Sequence, residues 1–107
     1  MAEKNLPACP VETTLTLISN KWKVLIIRDL LTGPKRFGAL KKSIGGVSQK
    51  VLTAQLRQME KSGLLTRTVY PEVPPHVEYA LTGLGCSLQP VLDALRTWGE
   101  QYKLQDF

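Results

Sequence analysis

A single histidine, two cysteines and no apolar run longer than the four residues Val24–Ile27 remove several kinds of protein from consideration before any motif is sought. One histidine leaves no Ser-His-Asp set and no paired metal ligands, and no glycine-rich loop follows a strand pattern, so the usual catalytic constellations are missing and no enzyme is expected. Cys9 and Cys86 are too few for a disulfide framework and lack CxxC spacing, which predicts reduced thiols, no zinc site and no cofactor. Four apolar residues cannot cross a bilayer, and the opening "MAEKNLPACPVE" has no signal-peptide h-region, so a cytoplasmic protein without membrane partners is expected. Repeats and low-complexity tracts are absent too.

What is present suits one folded domain over residues 1–107, with 43% apolar and 21% charged residues. Charge is unevenly spread. Between Lys21 and Arg67 stand eleven basic residues against two acids, Asp29 and Glu60, a balance of +9, whereas the remainder carries three basic residues against seven acids. A centre this basic points to a polyanionic partner.

The hydrophobic spacing predicts mostly helices. Pro10 suits a first helical position, with Cys9 as N-cap, and a helix over residues 10–19 follows. "KWKVLIIRDLLTGP" continues the period and stops at Gly33–Pro34. "FGALKKSI" is broken by Gly45–Gly46, and "QKVLTAQLRQMEKSG" starts from Ser48 as N-cap with Leu52, Leu56 and Met59 on one face. Two helices across a tight glycine turn make a helix-turn-helix over about residues 37–62. "LLTRTVY" and "VEYALT" read as paired strands of a hairpin over about residues 64–82. Leu84, Leu88, Val91, Leu95, Trp98 and Tyr102 describe a last helix over residues 84–103, with Pro90 marking a kink. The expected fold class is mainly α with a β-hairpin wing: a winged helix-turn-helix flanked by N- and C-terminal helices.

With its leucines inward, the second helix of the pair turns Lys50, Thr53 and Arg57 outward and carries Gln49 at its flank. Base edges in a major groove are read by such donors and acceptors, and the N-terminal residues reach deepest, so Ser48, Gln49, Lys50 and Thr53 are assigned to bases, and Arg57 to a base or a phosphate. Lys35, Arg36, Lys41 and Lys42 would sit over phosphates. His76, beside Pro71, Pro74 and Pro75, would offer a donor at the wing. The plainer alternatives are a solvated amphipathic helix and an exposed loop histidine without a role.

The stretches "CPVE", "KWKVLIIRDLLTGPKRFGALKKSI", "VSQKVLTAQLRQMEKSGLL", "VYPEVPPHVEYALTGLG" and "WGEQY" resemble the HxlR-type regulators, bacterial transcription factors of the MarR-like winged-helix group. "VPPHVEY" followed by "LT" and a distant "WG" is the most specific part. The resemblance implies a homodimer, held by its N- and C-terminal helices, that reads a pseudo-palindromic site in double-stranded DNA and acts as a repressor. Many relatives carry Arg or Lys in place of His76, so the wing tip departs from the pattern here. Leu15, Leu88, Leu95, Trp98 and Tyr102 are the interface candidates, since a core this small has no evident need of the aromatic stripe; packing within the same chain is the alternative.

Cys9 at an N-cap faces unpaired backbone N–H groups and the positive end of the helix dipole, a setting in which thiols react, although Glu12 one turn on opposes this. The resemblance implies that some members use a cysteine here to sense oxidants or electrophiles, which makes a small-molecule or oxidant effector conceivable for this chain. Cys86 of a second subunit is a candidate partner only if the Cα atoms come within about 7 Å. The competing function is a winged helix used for protein contact or RNA; aromatic or aliphatic anchors would favour it, whereas Ser48, Gln49, Lys50 and Thr53 give the helix start a polar, base-reading composition.

Overall fold

A computed structural model describes residues 6–105, so the first residues of the stretch read for a leader lie outside it. In chain order the elements are α1 (Pro10–Leu17), α2 (Lys21–Leu30), β1 (Lys35–Arg36), α3 (Phe37–Ile44), α4 (Gln49–Lys61), β2 (Leu65–Tyr70), β3 (His76–Leu81), α5 (Gly83–Cys86) and α6 (Gln89–Leu104). The three strands form one antiparallel sheet in the order β1-β3-β2. This is a winged helix-turn-helix, mostly helical with a small sheet as its wing.

Local chemistry sets the boundaries of the helix pair. Gly45 and Gly46 take φ of 72° and 68°, a region L side chains avoid, so the chain can stop α3 and reverse at once. Ser48 then opens α4, its Oγ accepting the Val51 N–H at 3.1 Å. Leu52, Leu56 and Met59 of α4 are no more than 1% exposed and pack with Ile26, Ile27 and Leu30 of α2, Leu40 of α3 and Leu64–Leu65 at the start of the hairpin. The helix pair is thus bolted to α2 and the sheet by one apolar core.

Two side-chain links fix the pair further. Asn20 caps α2, accepting the Lys23 N–H at 3.1 Å, and its Nδ2 donates to Gln55 of α4 at 3.0 Å. Asp29 of α2 accepts from Ser43 of α3 at 2.7 Å and pairs with Arg28 at 2.8 Å. Burial is the largest influence on the Asp29 carboxyl and alone would raise its pKa; hydrogen bonds from Arg28 and Ser43, with the charges of Arg28 and Lys35, outweigh it and hold the group below the usual carboxylate range.

Three features differ from expectation. A short β1 precedes α3 and pairs with β3, with Lys35 opposite Tyr79 and Arg36 opposite Glu78. The C-terminal helix is two helices, and Pro90 sits in the first turn of α6, where a missing N–H costs nothing, rather than at a kink. Leu88, expected at an interface, lies in the junction between them and is buried in the chain's own core with Leu92. Among the described residues no helix is long and apolar enough to cross a membrane.

Candidate nucleic-acid interface

Because the core takes every third or fourth residue of α4, the intervening ones are left for solvent. Gln49, Lys50 and Arg57 are exposed and Thr53 is half-buried. These four and Ala54 together line one shallow concavity of about 520 Å³ along the helix. The side chains assigned to bases therefore share one face, with the small Ala54 between the long arms. Ser48 is exposed at the helix start; its oxygen is used for the cap, and the hydroxyl proton remains available as a donor.

The basic span divides on inspection. On α2, Lys21 lies over the Trp22 ring at 4.4 Å, Lys23 is buried, and Arg28 is paired with Asp29. Of these three only Lys23 is withdrawn from the surface; Lys21 and Arg28 are exposed but already engaged by Trp22 and Asp29. The remaining cations lie on β1, α3, α4 and β2. Arg36 is exposed and Lys35 half-buried, both in β1, while Lys41 and Lys42 are exposed in the last turn of α3. There they also oppose the negative end of the helix dipole, which accounts for part of their placement without any ligand.

His76 corrects the expectation of a donor at the wing tip. It begins β3 opposite Tyr70, stacks on that ring at 4.6 Å, and its side chain is only 13% exposed. Its Nδ1 lies 3.1 Å from Glu72 and its Nε2 3.2 Å from Glu78. The hairpin register puts this residue at the neck of the finger, where both ring nitrogens are occupied. The tip is Val73, fully exposed between Glu72 and Pro74.

Arg67 was missed as a site residue. Strand alternation puts it on the same face as the buried Leu65, and it lines a cleft with Thr53, Arg57 and Glu60 of α4. The sequence contains that signal, but only the strand register tells which face of β2 meets α4.

Apolar side chains remain exposed on α1 and α6. Leu15, Leu95, Trp98 and Tyr102 are each at least 51% exposed, and Trp98 stacks on Tyr102 at 5.3 Å. Val11, Leu15, Ile18, Val24, Val91 and Leu95 contribute to an apolar groove of about 520 Å³ between α1, α2 and α6. Cys9 is exposed at the N-cap of α1, in extended backbone before Pro10, and makes no side-chain cap bond.

Comparison with known proteins agrees with this geometry. Residues 17–107 match the HxlR-like helix-turn-helix family. The HTH-type transcriptional regulator YdeP of Bacillus subtilis is 47% identical over 95 residues, which cover 89% of this chain and 74% of that protein. The oxidized form of the redox regulator HypR superposes with a TM-score of 0.82 at 42% identity, over 87% of this chain and 96% of that one. A MarR-family regulator from Porphyromonas gingivalis W83 superposes with a TM-score of 0.85 at 36% identity, over 94% and 98%.

Proposed function

Since the chain belongs to the HxlR-like helix-turn-helix family of DNA-binding transcription regulators, we propose that two copies bind one pseudo-palindromic operator, each laying α4 in a major groove. What carries this reading is the single face of α4 that gathers Gln49, Lys50, Thr53 and Arg57 while the opposite face is locked in the core. A groove about 12 Å wide admits a helix, and Gln49, Lys50 and Thr53 supply the donors and acceptors that base edges recognise, with Arg57 in reach of a base or a phosphate. Lys35, Lys41 and Lys42 hold phosphates as point charges, Arg36 does so through its guanidinium fork, and together they set the register. Occupying the operator blocks other proteins from it, so repression is the simplest consequence of binding.

The two roles separate experimentally. Lys50→Ala is expected to cost ~1–3 kcal/mol on the preferred duplex and little on random duplex, because a base contact carries the discrimination. Lys42→Ala is expected to weaken both duplexes alike. Equal losses on both duplexes for both variants, measured by fluorescence anisotropy, would contradict the assignment.

The dimer rests on the uncovered stripe of α1 and α6. A radius of gyration of 15.4 Å exceeds the about 13 Å typical of a compact chain of ~100 residues, as projecting arms require. A twofold axis through Leu15, Leu95, Trp98 and Tyr102 buries them and can space two α4 helices by about one DNA turn, roughly 34–36 Å.

Cys9 supplies the sensing function in this reading. Its exposed thiol opens α1, whose Val11 and Leu15 belong to that stripe, so a bulky adduct or a cross-link there shifts the spacing between subunits. The likeness to the redox regulator HypR supports it. Thiol alkylation is expected to lower operator affinity in the wild type and leave Cys9→Ser unchanged; identical affinities before and after alkylation would remove Cys9 from the account.

A further inference from the structure

The wing poses a problem for any DNA contact, because its tip carries no free cation. Of the residues in the hairpin, only Arg67 and His76 can be positive, and His76 is held between Glu72 and Glu78. Arg67 is different. It is exposed, stands opposite Tyr79 in the β2–β3 register, and shares a strand face with Leu65, which is buried in the core at 2% exposure. One step beyond that core, Arg67 enters a cleft of about 320 Å³ with Thr53, Leu56, Arg57, Glu60 and Tyr79. Neither Arg57 nor Arg67 makes an ion pair or a side-chain hydrogen bond among the described residues.

Two exposed guanidinium groups in one cleft, with Glu60 as its single acid, form a site with excess positive charge beside the α4 face assigned to bases. Planar guanidinium forks match phosphate oxygens and form short charge-assisted hydrogen bonds. We infer that Arg57 and Arg67 together seat one phosphate of the DNA backbone, so that the wing engages DNA from its base and not from its tip. Arg57 is thereby a phosphate ligand and not a base reader. Glu60 opposes a second phosphate in the same cleft, and the seat fixes how far α4 can slide along the groove. This rests on the duplex-binding reading above.

The test uses Arg57→Gln, Arg67→Gln and the double variant in the full chain, with affinities for the selected operator and for random duplex measured across a salt series. Both side chains are exposed, and thermal melting checks that each variant is folded. For one shared phosphate in each of two subunits, the double variant weakens both duplexes alike and flattens the slope of log K against log salt by about 1.8, while each single variant loses affinity on both duplexes with a smaller change of slope, because the remaining guanidinium still neutralises the phosphate. Wild-type affinity for Arg67→Gln, or a double variant flattened by about 3.6 as two separate phosphates per subunit require, would overturn the shared seat. A wild-type protein without steep salt dependence on duplex would remove the functional reading itself, which is a separate failure.

Discussion

Leu95→Glu is expected to convert the protein to a monomer and to drop operator affinity toward the non-specific level, a loss of roughly 10³–10⁷-fold. Leu95 is 51% exposed and lies at the apolar groove between α1, α2 and α6, so a carboxylate there meets solvent in the monomer but an apolar surface in a dimer. Burying an unpaired charge is among the costliest changes an interface can suffer. The protomer core does not contain Leu95, so its thermal melt should be altered only through loss of association. Analytical ultracentrifugation and operator binding on the same sample check both parts. A variant that still sediments as a dimer would move the interface away from α6.

A second large effect is expected from Gly85→Ala, this time on stability. A Cβ built at Gly85 would stand 2.2 Å from the Leu64 carbonyl oxygen and 3.0 Å from a Leu81 methyl. The obstacle is backbone, and that backbone is pinned: Thr82 donates through its hydroxyl to Gly63 O at 2.6 Å and through its N–H to Leu64 O at 3.1 Å, while accepting from Gly85 N–H. This corner joins the end of α4, the hairpin and α5, so relief requires moving the elements that hold α4. The cost should reach or exceed the upper end of the ~1–3 kcal/mol typical of overpacking, lowering Tm by ~4–8 °C for each kcal/mol. Gly83→Ala is the control, because nothing lies within 4 Å of its Cβ. Equal melting temperatures for the two variants would contradict the close packing at this corner.

The sequence revealed most where local signals agreed. α3 and α4 follow from the Gly45–Gly46 break, the Ser48 cap and the leucine spacing, and they were legible nearly to the residue. β1 was not, because two residues have no periodicity and its existence depends on β3 reaching across to it. The break between α5 and α6 was hidden because Leu84, Leu88, Val91 and Leu95 keep helical spacing across the junction, and that same continuity put Leu88 among the interface candidates although the chain's own core buries it. His76 and Arg67 show a further limit. Composition put one at the wing tip and the other in a charge count, but the β2–β3 register decides that the histidine closes the neck and the arginine faces α4.

The central claim is that two copies of α4 read bases in one duplex, and selecting bound duplexes from a random library tests it most directly. The account predicts enrichment of inverted half-sites whose centres lie about 10–10.5 base pairs or a multiple apart, with Lys50→Ala losing preference at symmetry-related positions. Recovery of no common sequence, or a preference for single-stranded RNA over duplex DNA, would contradict it.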